Sequence, residues 1–137
     1  MSALQALLGF AAWTLLLVAA VFLQRAFRVA TGTAITHWQR SAKPTDDPPL
    51  FRRMEDAHAN CLENLPVFAT IVLVASATGR LAAINAIAPF VLYARIGQTL
   101  AHLSGVRKPN VNVRATFFFI QLGLLVWMLV RLAASVT

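Results

Sequence analysis

Residues 53–77 decide the fold of this chain, and they read RMEDAHANCLENLPVFATIVLVASA. The clearly apolar part, residues 65–77, would extend only about 20 Å as a helix, whereas the hydrocarbon core of a bilayer is about 30 Å thick. A helix that crosses must therefore continue backwards through the charged and amide residues before Leu65. Those polar groups lie at or inside one membrane boundary, where protein or water has to satisfy them. Pro66 removes one backbone donor and predicts a kink.

The composition of the whole chain favours the same environment. Of its 137 residues, 58% are hydrophobic and 12% are charged. In a typical soluble domain roughly half of the residues are apolar and roughly a quarter are charged. A soluble domain of this length could not bury so much apolar surface, because small folds leave much of their surface exposed. The formal charge of +7 lies between long apolar runs, which is typical of membrane topology and argues against nucleic-acid binding. The single cysteine, Cys61, excludes an intramolecular disulfide.

Hydropathy and length predict one all-α domain over residues 1–137, an integral membrane bundle of four helices. The expected spans cover residues 3–27, 54–79, 81–103 and 114–136. The first apolar run is too long for a secretory signal, so we expect it to remain as a span. Two stretches rich in proline, glycine and polar residues, 31–49 and 104–112, are predicted to be loops.

Lysine and arginine are distributed unevenly between these connections. The second connection carries only Arg80, whereas the first carries Arg25, Arg28, Arg40, Lys43, Arg52 and Arg53, and the third Arg107, Lys108 and Arg114. By the positive-inside rule, the first and third connections are cytoplasmic and both termini face the other side.

Three predicted helices carry polar residues along one face, toward the cytoplasmic half of the membrane. At helical spacing these are Arg53, Asp56, Asn60 and Glu63 on the second helix, Arg95, Gln98 and His102 on the third, and Arg114 and Gln121 on the fourth. Isolated charges at this depth are expensive, so the three faces should meet one another or a hydrated cavity.

Four arginines favour an anion site there. Arg25, Arg53, Arg95 and Arg114 are all predicted at one cytoplasmic level, with few carboxylates to balance them. Arginine binds carboxylates well, and cationic surroundings lower the pKa of a bound thiol. The residues alone do not name the anion.

Structural roles stay open for the same residues. The whole role of Glu63 and Arg95 could be a buried ion pair that fixes the register of the helices. Asn60 could serve only to hydrogen-bond one helix to another. His102 could be an ordinary boundary residue. No metal site is expected, because His58 and His102 lie on different helices and no close ligand spacing supports one.

Residues 53–68, RMEDAHANCLENLPVF, resemble the second-helix signature of the MAPEG family, the membrane-associated proteins in eicosanoid and glutathione metabolism. Residues 25–29, RAFRV, resemble the end of the first helix in the leukotriene-forming branch. Tyr93-Ala-Arg95, followed by His102, Gly105 and Arg114, resembles the third helix and the start of the fourth. The order and spacing of these pieces make most of the chain similar to a bacterial-type member.

This resemblance implies a homotrimer of four-helix subunits, with the cosubstrate glutathione between neighbouring subunits near the cytoplasmic face. It implies that Asn60 and Glu63 bind the tripeptide and that Arg114 activates its thiol. Arg25 and Arg95 match further basic positions of that site, and Arg53 and His102 are also predicted to bind glutathione. A bacterial-type member would lie in the inner membrane among lipids, with both termini periplasmic, and would act on a small apolar substrate.

Three positions depart from the family pattern. Asp56 stands where the eukaryotic enzymes place an arginine, and Gln98 and His102 stand where the leukotriene-forming branch often has tyrosines. Three functions remain open: a glutathione transferase or peroxidase acting on an apolar electrophile, a noncatalytic lipid-binding or scaffold protein, and a small transporter. A transporter that used Glu63 as its coupling carboxylate should have fewer nearby arginines, because they would hold it ionised.

Overall fold

The computed structural model of the chain describes residues 1–39 and 44–136, and every regular element in these ranges is helical. The four long helices are α1 (Ala3–Ala30), α2 (Pro49–Ala77), α3 (Ala88–Ser104) and α4 (Lys108–Val136). Short 3₁₀ helices lie at Ile35–Trp38 and Leu81–Ala83. The predicted all-α membrane bundle is confirmed, because α1, α2 and α4 are each long and apolar enough to cross a bilayer. Residues 40–43, inside the predicted first loop, lie outside the described residues.

Helices α2 and α4 begin earlier than predicted, at Pro49 instead of residue 54 and at Lys108 instead of residue 114. Each has a proline in its first turn, Pro49 or Pro109, and in the sequence these prolines resemble loop signals. Proline suits the first turn because the first N–H groups of a helix have no intrahelical partner. The third connection is therefore only residues 105–107, and α2 continues through Pro66 without ending.

Helix α3 is shorter than the predicted span of residues 81–103. It begins at Ala88, with Pro89 in its first turn, and its 17 residues extend about 25 Å. Turns at residues 84–87 separate it from Leu81–Ala83. Asn85 lies in these turns, and its Oδ1 accepts a hydrogen bond from the Ala3 backbone N–H at 2.9 Å. This polar residue therefore fastens the start of α1 to the segment before α3.

The bundle is built from two extensively packed pairs, α1 with α2 and α3 with α4. One face of α1 is buried at residues three or four apart: Ala3, Ala6, Phe10, Thr14, Leu17 and Val21. The opposite face exposes large apolar side chains such as Leu8, Leu15 and Phe22. Because one face packs on protein and the other is apolar and uncovered, α1 has the surface of a helix in contact with lipid.

Three side-chain hydrogen bonds connect α3 to α4 within the described residues, and the one nearest the connection runs from Asn110 Nδ2 to Ser104 Oγ at 2.6 Å. Arg95 Nη2 donates to Gln121 Oε1 at 2.5 Å, and Arg114 Nη1 donates to His102 Nδ1 at 2.8 Å. These two arginine bonds are seven residues apart on each helix, which corresponds to two turns or about 10 Å. Arg95 lies nine residues from the end of α3 and Arg114 six residues from the start of α4, a difference of about one turn. That both arginines lie at one cytoplasmic level of the membrane stays a prediction.

Candidate ligand-binding cleft

A cleft of about 460 Å³ opens between α2, α3 and α4, close to the α3–α4 connection. Its lining residues are Asp56 and Asn60 of α2, Gln98 and His102 of α3, and Val111, Arg114, Ala115, Phe118 and Phe119 of α4. Polar groups thus come from three helices, while α4 supplies the apolar side chains, and Phe119 is largely exposed on the bundle surface. This division suits a ligand that has a polar part and an apolar part.

His102 lies between a cation and an anion in this cleft. Its Nδ1 accepts the hydrogen bond from Arg114, and its Nε2 lies 4.0 Å from Oδ2 of Asp56. The His102 residue is only 7% exposed, whereas the Asp56 side chain is 49% exposed. Among the described residues, the bond to His102 is the hydrogen bond that fixes the Arg114 guanidinium at the cleft.

Arg53 lies beside the cleft, where it caps α3. Its Nε donates to the backbone carbonyl of Leu103 at 3.1 Å, one of the last carbonyls of that helix. Arg53 also borders a second cavity of about 420 Å³, and Asp56 borders both cavities. Arg53, which is predicted to contact the ligand, therefore lies next to the cleft, and its Nε atom is hydrogen-bonded to the end of α3.

Arg95 is buried beneath the cleft, with 1% of its surface exposed. Its guanidinium lies 5.5 Å from the centre of the Phe10 ring and hydrogen-bonds to Gln121. Arg95 Nε, Gln121 Nε2 and Gln98 Oε1 are buried and have no hydrogen-bond partner among the described residues. Since Gln98 also lines the cleft, a polar layer continues from the cleft toward Arg95.

Glu63 and Arg25 do not reach the cleft within one subunit. Glu63 is exposed on α2 and, within the described residues, makes no direct hydrogen bond or ion pair, although its charge acts on Arg95 from a distance. The predicted direct pair of Glu63 with Arg95 is thus absent from the described subunit, where Arg95 bonds to Gln121 instead. Arg25 pairs with Glu55, and its guanidinium lies 5.6 Å from the centre of the Trp38 ring. Of the predicted site residues, the cleft joins Asn60, His102 and Arg114.

The bond between Arg95 and Gln121 was not anticipated, although the sequence contains a signal for it. Arg95 precedes His102 by seven residues, and Arg114 precedes Gln121 by seven residues. On antiparallel neighbouring helices, equal spacings place both pairs at matching heights. The sequence did not indicate that Phe118 and Phe119 would line the cleft, because apolar residues are common throughout α4.

A group of possible metal ligands, also not anticipated, lies outside the cleft in the first connection. Within the described residues, ligand atoms of His37, Asp46 and Asp47 lie within 4.8 Å of one another. Arg28 donates hydrogen bonds to both carboxylates, the one to Asp46 at 2.6 Å, and Trp38 Nε1 donates to Asp47 at 2.8 Å. The bond from Arg28 holds the pKa of Asp46 below its ordinary value. These contacts fasten the connection to the end of α1.

The comparison with protein families agrees with this architecture. The sequence profile of the MAPEG family matches residues 3–134. A search of curated proteins found no significant match. A match over nearly the whole length, together with the four-helix membrane bundle, shows that this chain belongs to the MAPEG family.

Proposed function

We propose that this protein binds glutathione in the cleft between α2, α3 and α4 and joins its sulfur to an apolar electrophile, or uses two glutathione thiols, which are oxidised to the disulfide, to reduce a peroxide. The observation that carries the proposal is the placement of Arg114. Its guanidinium is held at the cleft by His102, opposite Asn60, in a chain of a family that is generally associated with glutathione. Arg114 is the residue that we assign to thiol activation.

The chemistry of the cleft suits an anionic thiol. Glutathione carries net negative charge, and Arg114 and Arg53 offer guanidinium groups at and beside the cleft. A cation close to a bound thiol favours the thiolate, which is the nucleophilic form. Phe118 and Phe119 line the side of α4, so an apolar electrophile could reach the sulfur from the lipid.

The exposure of Glu63 supports assembly with neighbouring subunits. This carboxylate lies in the middle of a spanning helix, and in a single subunit it is uncovered. A carboxylate facing lipid at that depth is costly, whereas a protein interface or a polar ligand would satisfy it. We therefore assign Glu63 and Arg25 to a site shared between subunits of a homotrimer. In this assignment Glu63 contacts the amino end of glutathione.

The location follows from the charge of the connections. We place the cleft at the cytoplasmic side of a bacterial inner membrane and both termini in the periplasm, because nine of the twelve lysine and arginine residues lie in or beside the first and third connections, at residues 25–53 and 107–114. This arrangement exposes the cleft to cytoplasmic glutathione.

An apolar cavity supports a second candidate, noncatalytic lipid binding. The cavity of about 540 Å³ is lined by Phe22, Arg25, Ala26, Val29, Ala30, Ile35 and Trp38. A hydrocarbon chain could occupy it, with an anionic head near Arg25. In this candidate the cleft holds a ligand without preparing it for attack.

Calorimetric titration of the purified protein with glutathione tests the proposal, together with the ultraviolet absorbance of the thiolate at neutral pH. We expect binding and a thiolate signal in the native protein, and loss of the thiolate signal in Arg114→Ala. Arg131→Ala is the matched control, because Arg131 lies over Trp127 near the other end of α4. Binding without thiolate would favour the lipid-binding candidate, and no binding at millimolar glutathione would reject the proposal.

A further inference from the structure

The hydrogen bond between Arg114 and His102 fixes the protonation state of the histidine. An arginine side chain has five N–H donors and no acceptor, so the Nδ1 atom that lies 2.8 Å from Arg114 Nη1 must be the acceptor. An Nδ1 atom that accepts carries no proton. In the neutral ring the proton is then on Nε2, which faces Oδ2 of Asp56 at 4.0 Å.

A second proton on His102 is incompatible with this arrangement. It would have to lie on Nδ1, where it would point at the N–H groups of a guanidinium that is itself positively charged. In the part of the chain that the structure describes, the charged groups that act on the ring are Arg114 from α4 and Arg53 and Asp56 from α2. Two of these three are cations, and the anion faces the other ring nitrogen. Protonation of His102 therefore breaks the bond to Arg114.

We propose that His102 is the positioning residue for Arg114, and that it holds the guanidinium at the cleft only as the neutral ring with its proton on Nε2. Asp56 faces that proton and Arg114 faces the free lone pair, so the three residues form an ordered chain from α2 through α3 to α4. Any effect of this arrangement on a bound thiol rests on the proposed function. The tautomer of His102 and its hydrogen bond to Arg114 are independent of that function.

This role differs from that of a general base. Nδ1 is occupied by Arg114, and Nε2 carries the proton toward Asp56, so neither nitrogen is available to take a proton from a bound thiol. His102 acts through Arg114: it sets where the cation lies, and the cation acts on the ligand. Ligand affinity should then follow the protonation of His102 when the ligand places an anion near Arg114.

The first test uses the protein without ligand. Nitrogen NMR of histidine-labelled protein in detergent reports the tautomer of each ring, and the signals lost in His102→Asn identify His102 among the three histidines. We expect the Nε2–H tautomer at pH 8, and a mixture of tautomers in Arg114→Leu. An Nδ1–H tautomer in the native protein, or a ring unaffected by Arg114→Leu, would overturn the proposal, whatever the protein binds.

The second test measures the affinity for glutathione sulfonate, whose sulfur group stays anionic between pH 5 and 8. In the native protein we expect binding to weaken by at least about tenfold as His102 gains its proton. His102→Asn should remove this dependence, because its amide oxygen replaces Nδ1 as an acceptor but does not titrate. His58→Asn is the control for another histidine and should behave like the native protein.

The two tests separate this proposal from the proposed function. If His102→Asn keeps the native pH dependence, Arg114 is not positioned through His102 and the inference fails. If glutathione sulfonate does not bind at any pH, the proposed function fails, and the NMR test alone decides the role of His102.

Discussion

The backbone of Gly97 approaches the ring of Phe117 so closely that a Cβ atom at Gly97 would lie 2.7 Å from the ring. This contact lies between the Arg95–Gln121 and Arg114–His102 hydrogen bonds that connect α3 to α4. A Cβ atom at Gly97 would require the Phe117 ring to move, so glycine permits the close approach of the two helices at this point. The polar groups of the cleft meet at this close approach of α3 and α4.

Gly97→Ala should therefore destabilise the bundle. Overpacking of a tight contact typically costs about 1–3 kcal/mol, while alanine regains up to about 1 kcal/mol of helix propensity. Gly123→Ala is the matched control, since a Cβ atom there meets nothing within 4 Å. We expect thermal unfolding in detergent to occur at a lower temperature for Gly97→Ala than for Gly123→Ala. Equal melting of the two variants would mean that α3 and α4 are further apart than described.

Removing the partner of Arg95 should also be costly. Gln121→Leu leaves a buried guanidinium without its hydrogen bond, and hydrogen bonds to charged groups contribute about 1.5–3 kcal/mol. The double variant Arg95→Met, Gln121→Leu removes the charge as well as the bond. We expect it to be less destabilised than the sum of the single variants, as measured by unfolding in detergent. Additive losses would show that the two residues do not interact.

The topology predicts opposite labelling of the first and second connections. In a Cys61→Ala background, Thr78→Cys should react with an impermeant maleimide in intact cells, and Thr45→Cys should react only in inverted membrane vesicles. Both threonines are exposed, and Cys61 is buried. Reaction of both cysteines from the same side would contradict a second helix that spans the membrane.

The contact of Arg28 with the first connection predicts how pH acts there. The pKa of Asp46 lies below its ordinary value chiefly because Arg28 donates a hydrogen bond to the carboxylate. The ion pair therefore stabilises the connection above the ordinary pKa of about 3.9 and is lost as the pH falls through the lowered value. Arg28→Gln should raise the pKa of Asp46, as measured by carbon NMR of labelled aspartate. Arg107→Gln, in the third connection, should leave it unchanged.

The sequence predicts the helical crossings better than their ends. Long apolar runs identify α1, α2 and α4, because a helix satisfies the backbone groups of such a run within the run itself. Proline in a first turn and proline in a loop look alike in sequence, so the starts of α2 and α4 were placed too late. Pro89 likewise lies in the first turn of α3, although it falls inside the predicted span of residues 81–103.

The composition of the cleft was only partly predictable. Helical spacing places residues on a common face, and Asn60, His102 and Arg114 meet in the cleft as expected. Spacing does not show how far each helix is rotated toward its neighbours, which is why Glu63 lies outside the cleft although it shares a face with Asn60. Nor does it show that the first connection folds back on α1 and pairs Asp46 with Arg28.

The short helix α3 and its buried arginine also have a consequence for biogenesis. A helix of 17 residues with Arg95 near its middle is a poor candidate for insertion by itself, since an arginine at the centre of an inserting helix costs about 2.5–3.5 kcal/mol. Its partner Gln121 lies in α4, which is synthesised afterwards and is separated from α3 by only three residues. The two helices should therefore leave the translocation machinery as a hairpin, with the arginine already bonded before it meets lipid.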